Sequence, residues 1–60
     1  MYEIDYIVNG VRVAGAEFSG TQAAVRLVAE DGIRRHRADH ARIFDQITAR
    51  AETWPHRPIE

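Results

Sequence analysis

Two hydrophobic periods divide this chain. From residue 2 to residue 8, Tyr2, Ile4, Tyr6 and Val8 alternate with Glu3, Asp5 and Ile7, the every-second-residue spacing of a strand with one buried face. After Asn9-Gly10 the alternation resumes, with Val11 and Val13 set against Arg12 and Ala14. Both Asn and Gly tolerate positive φ, so an Asn-Gly pair between alternating runs predicts a two-residue type I′ hairpin. That loop length sets Val8 opposite Val11 and Tyr6 opposite Val13, giving both strands a shared apolar face. Ala14-Gly15-Ala16 interrupts the pattern. Gly15 reads as a bulge that returns Ala16 and Phe18 to the buried side.

Helical spacing follows. Ser19-Gly20-Thr21-Gln22 has the form of a capping box, with Ser19 as the cap and Gln22 reaching back. Ala23, Ala24, Leu27 and Val28 form an apolar stripe. Gly32 suits the left-handed position after a helix, with Ile33 folding back toward Val28. The first helix is therefore predicted over 20–31. A second stripe, Ala41, Phe44, Ile47, Ala51 and Trp54, recurs at three- and four-residue steps and is broadened by Ile43. It predicts a second helix that starts at Arg34 or is capped by Asp39, and that stops before Pro55.

The predicted fold is therefore α+β: an N-terminal two-stranded antiparallel hairpin followed by two helices on one sheet face (ββαα). One domain spans residues 1–54, and a polar, proline-containing tail spans 55–60. A two-stranded sheet is marginal alone and exposes both edges. Sixty residues also bury only about 60% of their unfolded surface. With no cysteine to staple the fold, the missing stability is expected from self-association, as a homodimer.

Composition narrows the setting. No apolar run is long enough to cross a bilayer, and Met1-Tyr2-Glu3-Ile4-Asp5 lacks the cationic start of a signal peptide. A soluble, cytoplasmic protein is expected. All eight basic residues are arginine, which together with abundant alanine points to a GC-rich genome of bacterial or phage origin. Net charge is −1, too small to attract nucleic acid non-specifically. The charge is unevenly placed, however. Residues 1–20 carry Glu3, Asp5 and Glu17 against Arg12, whereas residues 33–42 carry Arg34, Arg35, Arg37 and Arg42 against Asp39.

Catalytic chemistry lacks a supplier in this sequence. Ser19 and Thr21 are accounted for by capping, and no glycine-rich phosphate loop is present. Paired carboxylates such as Glu30-Asp31 fall at a helix end, where solvation is the ordinary state. No catalytic residue, cofactor or small-molecule substrate is assigned. His36 and His40 stand four apart and would share a helix face, with His56 as a third ligand if the tail folds back. The flanking arginines oppose a dication, so no metal is assigned either.

The arginine run is the more pointed feature. Ile33-Arg34-Arg35-His36-Arg37-Ala38-Asp39-His40-Ala41-Arg42 follows a helix and a glycine. This arrangement resembles a helix-turn-helix, with Gly32 at the turn and Leu27, Ile33, Ala38 and Ala41 at its packing positions. The resemblance implies a second helix in the DNA major groove, with Arg34, Arg35 and Arg37 on bases or phosphates and Arg42 on the backbone. It departs at Val28, where a small residue belongs, and at Asp31, where an apolar one belongs. The same charges also lace a solvated face: Arg35 with Asp39, and Arg42 with Asp39 and Asp45, at about 0.2–0.5 kcal/mol each.

The leading expectation is a small non-enzymatic binding or regulatory protein, homodimeric, that docks onto another protein. Tyr2, Tyr6, Phe44 and Trp54 are its candidate interface side chains. The alternative is a DNA-binding protein using the arginine-rich second helix. A structural component of a larger assembly, such as a phage particle, is a third expectation.

Overall fold

The Asn9-Gly10 turn forms as its residue types require. In the computed structural model, which describes residues 1–55, Asn9 and Gly10 both adopt positive φ, at 50° and 80°. They join β1 (Tyr2–Val8) to β2 (Val11–Phe18) with Val8 opposite Val11. The bulge lies two residues earlier than Gly15. Ile7 pairs with Arg12 and Tyr6 with Ala14, which leaves Val13 as the extra residue, while Gly15 pairs regularly with Asp5. Ala14, Ala16 and Phe18 thereby share a face with Tyr6, Ile4 and Tyr2.

One helix follows where two were expected. Helix α1 runs Gln22–His36. Its cap is Thr21, whose hydroxyl accepts from the Ala24 amide at 3.1 Å, and not Ser19. Gly32 lies inside the helix and is buried against the sheet. The left-handed residue that ends the helix is Arg37 (φ 54°, ψ 41°). The Arg37 amide donates to the Arg34 carbonyl and the Ala38 amide to the Ile33 carbonyl at 2.9 Å, the paired bonds of a Schellman ending. Ala38 and Ile33 both pack on the core.

The ββαα expectation fails over residues 40–54, which form a second hairpin: β3 (His40–Asp45) and β4 (Arg50–Trp54). The sheet has four strands in the order β2-β1-β3-β4, all antiparallel to their neighbours. The fold is ββαββ, with α1 carrying the chain from one side of β1 to the other.

The physical reason is that this segment supports two periods at once. Ala41, Phe44 and Ile47 step like a helix, but Ala41 and Ile43 step like a strand. A central β1 with a free edge offers the strand reading a row of backbone partners. Ala41 and Ile43 are buried opposite Tyr6 and Ile4, and Ile47, the supposed core residue, is 82% exposed.

The turn between β3 and β4 has no glycine or proline. Asp45 builds it: its Oδ1 accepts from the amides of Ile47 at 2.9 Å and Thr48 at 3.4 Å. Its carbonyl accepts from the Ala49 amide at 2.8 Å. Ala49 takes the left-handed conformation (φ 59°). These local bonds are what an Asx-turn supplies without glycine.

The core is one layer between helix and sheet: Ile4, Tyr6, Ala41 and Ile43 from the strands, Val25 and Ala29 from α1. The chain already makes four strands by itself, so dimerisation is not needed to complete a sheet. No helix among the described residues is long and apolar enough to cross a membrane.

Candidate functional site

A single helix cannot cover four strands, and the parts it leaves bare are where this molecule can meet another. Helix α1 seats on the central strands through Val25, Ala29 and Gly32. Three surfaces remain: the seam between α1 and β4, the outer face of the sheet, and the edge strand β2.

The seam is a polar network closed on itself. The Arg26 guanidinium lies 4.7 Å from the Trp54 ring centroid and donates to Glu52, at 2.8 Å from Nη2 and 3.3 Å from Nε. Gln22 Nε2 also donates to Glu52, and the Trp54 indole N–H donates to Glu30 at 3.2 Å. The hydrogen bond to Glu52 raises the Arg26 pKa above its already high ordinary value. A cation held over an indole and clamped by a carboxylate is a packing device that fixes β4 against the helix. Beside it, a concavity of ≈ 340 Å³ is bordered by Tyr2, Asp45, Thr48 and Arg50. Asp45 sits there with its pKa lowered by the amide hydrogen bonds of Ile47 and Thr48, so it is a charged turn-former and a poor proton donor.

The outer face is charged in rows. Cross-strand partners share a face, so Arg12, Ile7 and His40 form one row, Gly15, Asp5, Arg42 and Thr53 the next, and Glu17, Glu3, Phe44 and Ala51 the third. Arg12 Nε binds Asp5 Oδ1 at 2.8 Å. Glu17 stands directly opposite Glu3, a like-charge cross-strand pair that is locally destabilising. Glu17 makes no ion pair among the described residues.

Strand β2 is the least covered element. Its residues 11–13 and 15–17 are all exposed, with Val11 at 61% and Val13 at 50%. Its far side is a sheet edge, so a row of backbone donors and acceptors faces outward. Alternation from the Val8–Val11 pair through the Val13 bulge points the amides of Arg12, Gly15 and Glu17 to that free side.

The residues singled out from the sequence are dispersed by the fold. Arg34 and Arg35 are exposed in the last turn of α1, Arg37 ends that helix, and Arg42 lies on the outer face in β3. Arg35 binds Asp31 at 2.7 Å, one turn earlier, and not Asp39, whose carboxylate instead accepts from the Asn9 amide at 2.8 Å. With β3 in place of a second helix, there is no helix-turn-helix and no second helix to enter a groove among the described residues. His36 and His40 do not share a helix face: His36 packs on Tyr6 with ring centroids 5.1 Å apart, and His40 begins β3. No group of three His, Cys, Asp or Glu side chains suited to a metal occurs among the described residues. His56 lies outside the described residues.

Tyr6 is buried at 3% exposure, and burial raises its pKa, with the nearby Asp31 charge adding to the effect and Arg35 opposing it. Tyr2 and Trp54 pack against the core from its margin. Phe44 is half-buried on the outer face, between Glu3 and Ala51. The sequence reading placed Val11 and Val13 on the covered apolar face, where the structure leaves them exposed, and gave Glu17 no role beyond its charge. The signal that marks them is the covering helix: fifteen residues at about 1.5 Å each, one helix wide, span two or three strands and leave an outer strand bare.

No family model, no curated protein and no solved structure matches this chain.

Proposed function

We propose that this chain is a small non-enzymatic protein-interaction module whose binding element is the edge strand β2, onto which a partner adds a strand. The observation that carries this reading is the bare β2 edge: eight residues with outward amides at Arg12, Gly15 and Glu17, flanked by the exposed Val11 and Val13. Strand addition draws affinity from main-chain hydrogen bonds and specificity from alternate side chains, and β2 offers both. The other edge, β4, is shorter, at five residues, is followed by Pro55 and is tied to α1 through Glu52 and Trp54. The polar groups along the seam are engaged with one another, which favours a structural over a catalytic use for them.

The test is a peptide-display selection against the immobilised full chain, followed by amide exchange on the complexes. Selected peptides are expected to be extended, β-prone segments that slow exchange at Arg12, Gly15 and Glu17. Val13→Asp is expected to weaken them. Binders that protect only α1 or the seam overturn the reading.

A further inference from the structure

We infer that the occupant of β2 is a second copy of this chain, paired antiparallel about a two-fold axis with Gly15 opposite its own equivalent. This inference rests on β2 being the binding element and names what binds there.

Symmetry restricts the register. Two antiparallel copies of one edge strand are related by an axis perpendicular to the sheet, so opposed residues must lie on the same face. Arg12 and Glu17 are five apart, and in a regular strand they would point to opposite faces. The extra residue at Val13 shifts that parity and puts both on the outer face, with their backbone groups on the free side. A register centred on Gly15 then sets Arg12 of each copy against Glu17 of the other, twice per dimer. It also sets Val11 against Phe18 on the helix side, an apolar cross-strand pair.

The charges fit this arrangement. Within one copy Glu17 faces Glu3 and makes no ion pair among the described residues, although Arg12 borders the same shallow concavity. The second copy supplies the ion pair. Across the joined sheet the outer face then reads Arg42, Asp5, Arg12 and the partner's Glu17, alternating in sign. Gly15 at the axis carries no side chain, and the guanidinium of Arg12 lies over it. Two guanidinium groups near the axis are thus flanked by two Asp5 and two Glu17 carboxylates. Opposed charges at a two-fold axis reward this register and penalise its neighbours.

Sedimentation equilibrium and light scattering on the full chain test the proposal. The unaltered protein is expected to be a dimer that weakens with added salt. Glu17→Arg sets Arg12 against an arginine, and Arg12→Glu sets a glutamate against Glu17. Each alone is expected to raise the dimer dissociation constant at least about tenfold. Mixed one to one, the two variants restore both complementary pairs and are expected to form a heterodimer. Circular dichroism checks that each variant is folded. An unaltered chain that stays monomeric at about 1 mM, a Glu17→Arg chain that dimerises undiminished, or two folded variants that fail to associate on mixing each overturn the inference. A monomer whose β2 amides are still protected by selected peptides would remove the second copy and leave strand addition standing. A dimer that leaves those amides unprotected would remove the second copy from β2, and strand addition itself then falls only if selected peptides also leave them unprotected.

Discussion

The ring of Tyr6 occupies the space in which any side chain on Gly32 would have to stand. A Cβ built on Gly32 falls well inside contact distance of the Tyr6 hydroxyl and its ring carbons. Gly32 is in the body of α1 and is buried, so the helix can approach β1 only because this residue has no side chain. The close approach brings His36, one turn later, onto the same ring.

Gly32→Ala should therefore destabilise the protein, although alanine is the better helix former by about 1 kcal/mol. Overpacking of a filled core costs about 1–3 kcal/mol, and the Tyr6 ring has no exposed side to retreat to. Urea denaturation is expected to show a net loss of about 1 kcal/mol or more for Gly32→Ala. The loss should largely vanish in the Tyr6→Val background, where the obstructing ring is gone. A gain in stability from Gly32→Ala alone would show that the ring moves aside freely.

The cap of α1 gives a sharp contrast between neighbouring hydroxyls. Thr21 accepts the Ala24 amide, and its replacement by alanine should cost about 1 kcal/mol. Ser19→Ala should change stability by less than about 0.5 kcal/mol. Thermal denaturation of the two variants decides it; equal losses would place the cap elsewhere.

Arg37 ends α1 with φ 54°, where a Cβ is penalised by about 1–2 kcal/mol. Glycine removes that strain and gives back about 0.4–1 kcal/mol of unfolded-state entropy. Arg37→Gly should be net stabilising by about 0.5–1 kcal/mol, read as a raised denaturation midpoint. The same substitution at Ala49 (φ 59°) should act in the same direction. Destabilisation at both sites would mean that these left-handed turns do not govern stability.

Two groups link stability to pH, with opposite signs. Asp45 is held below its ordinary pKa first by the Ile47 amide. Its contribution is fully present above the unfolded carboxylate range and is lost as pH falls through its lowered folded pKa. Tyr6 is held above its ordinary pKa first by burial. Its contribution is fully present below the unfolded tyrosine pKa of about 10 and is lost as pH rises through its raised folded pKa. Denaturation midpoints across pH should fall at both extremes. Asp45→Asn should flatten the acid limb and Tyr6→Phe the alkaline limb. An unchanged limb in either variant would assign it to another group.

Local chemistry made the first half of the chain legible. Asn9-Gly10 dictates its own turn because positive φ at two successive residues is a property of those residue types. The alternation of Tyr2, Ile4, Tyr6 and Val8 dictates one apolar face by strand geometry alone. A helix opening near Gly20 also followed from the residues, although the capping-box pattern pointed to Ser19 and the backbone path gave the cap to Thr21.

The tertiary structure decided the rest, because the deciding partners are distant in sequence. Gly32 looks like a helix end by propensity, and only the Tyr6 ring 26 residues earlier, lying against it, makes a glycine necessary inside the helix. Residues 40–54 carry both a helical and a strand period, and the free edge of β1, pairing Ile4 with Ile43 and Tyr6 with Ala41, selected the strand. The arginine run lost its common face for the same reason: once β3 replaced a second helix, Arg34, Arg35, Arg37 and Arg42 were parted among a helix end, a turn and the far side of the sheet. The bare β2 edge could not be seen at all until the number of strands was known, since which strand lies outermost is a property of the assembled sheet and of no single residue.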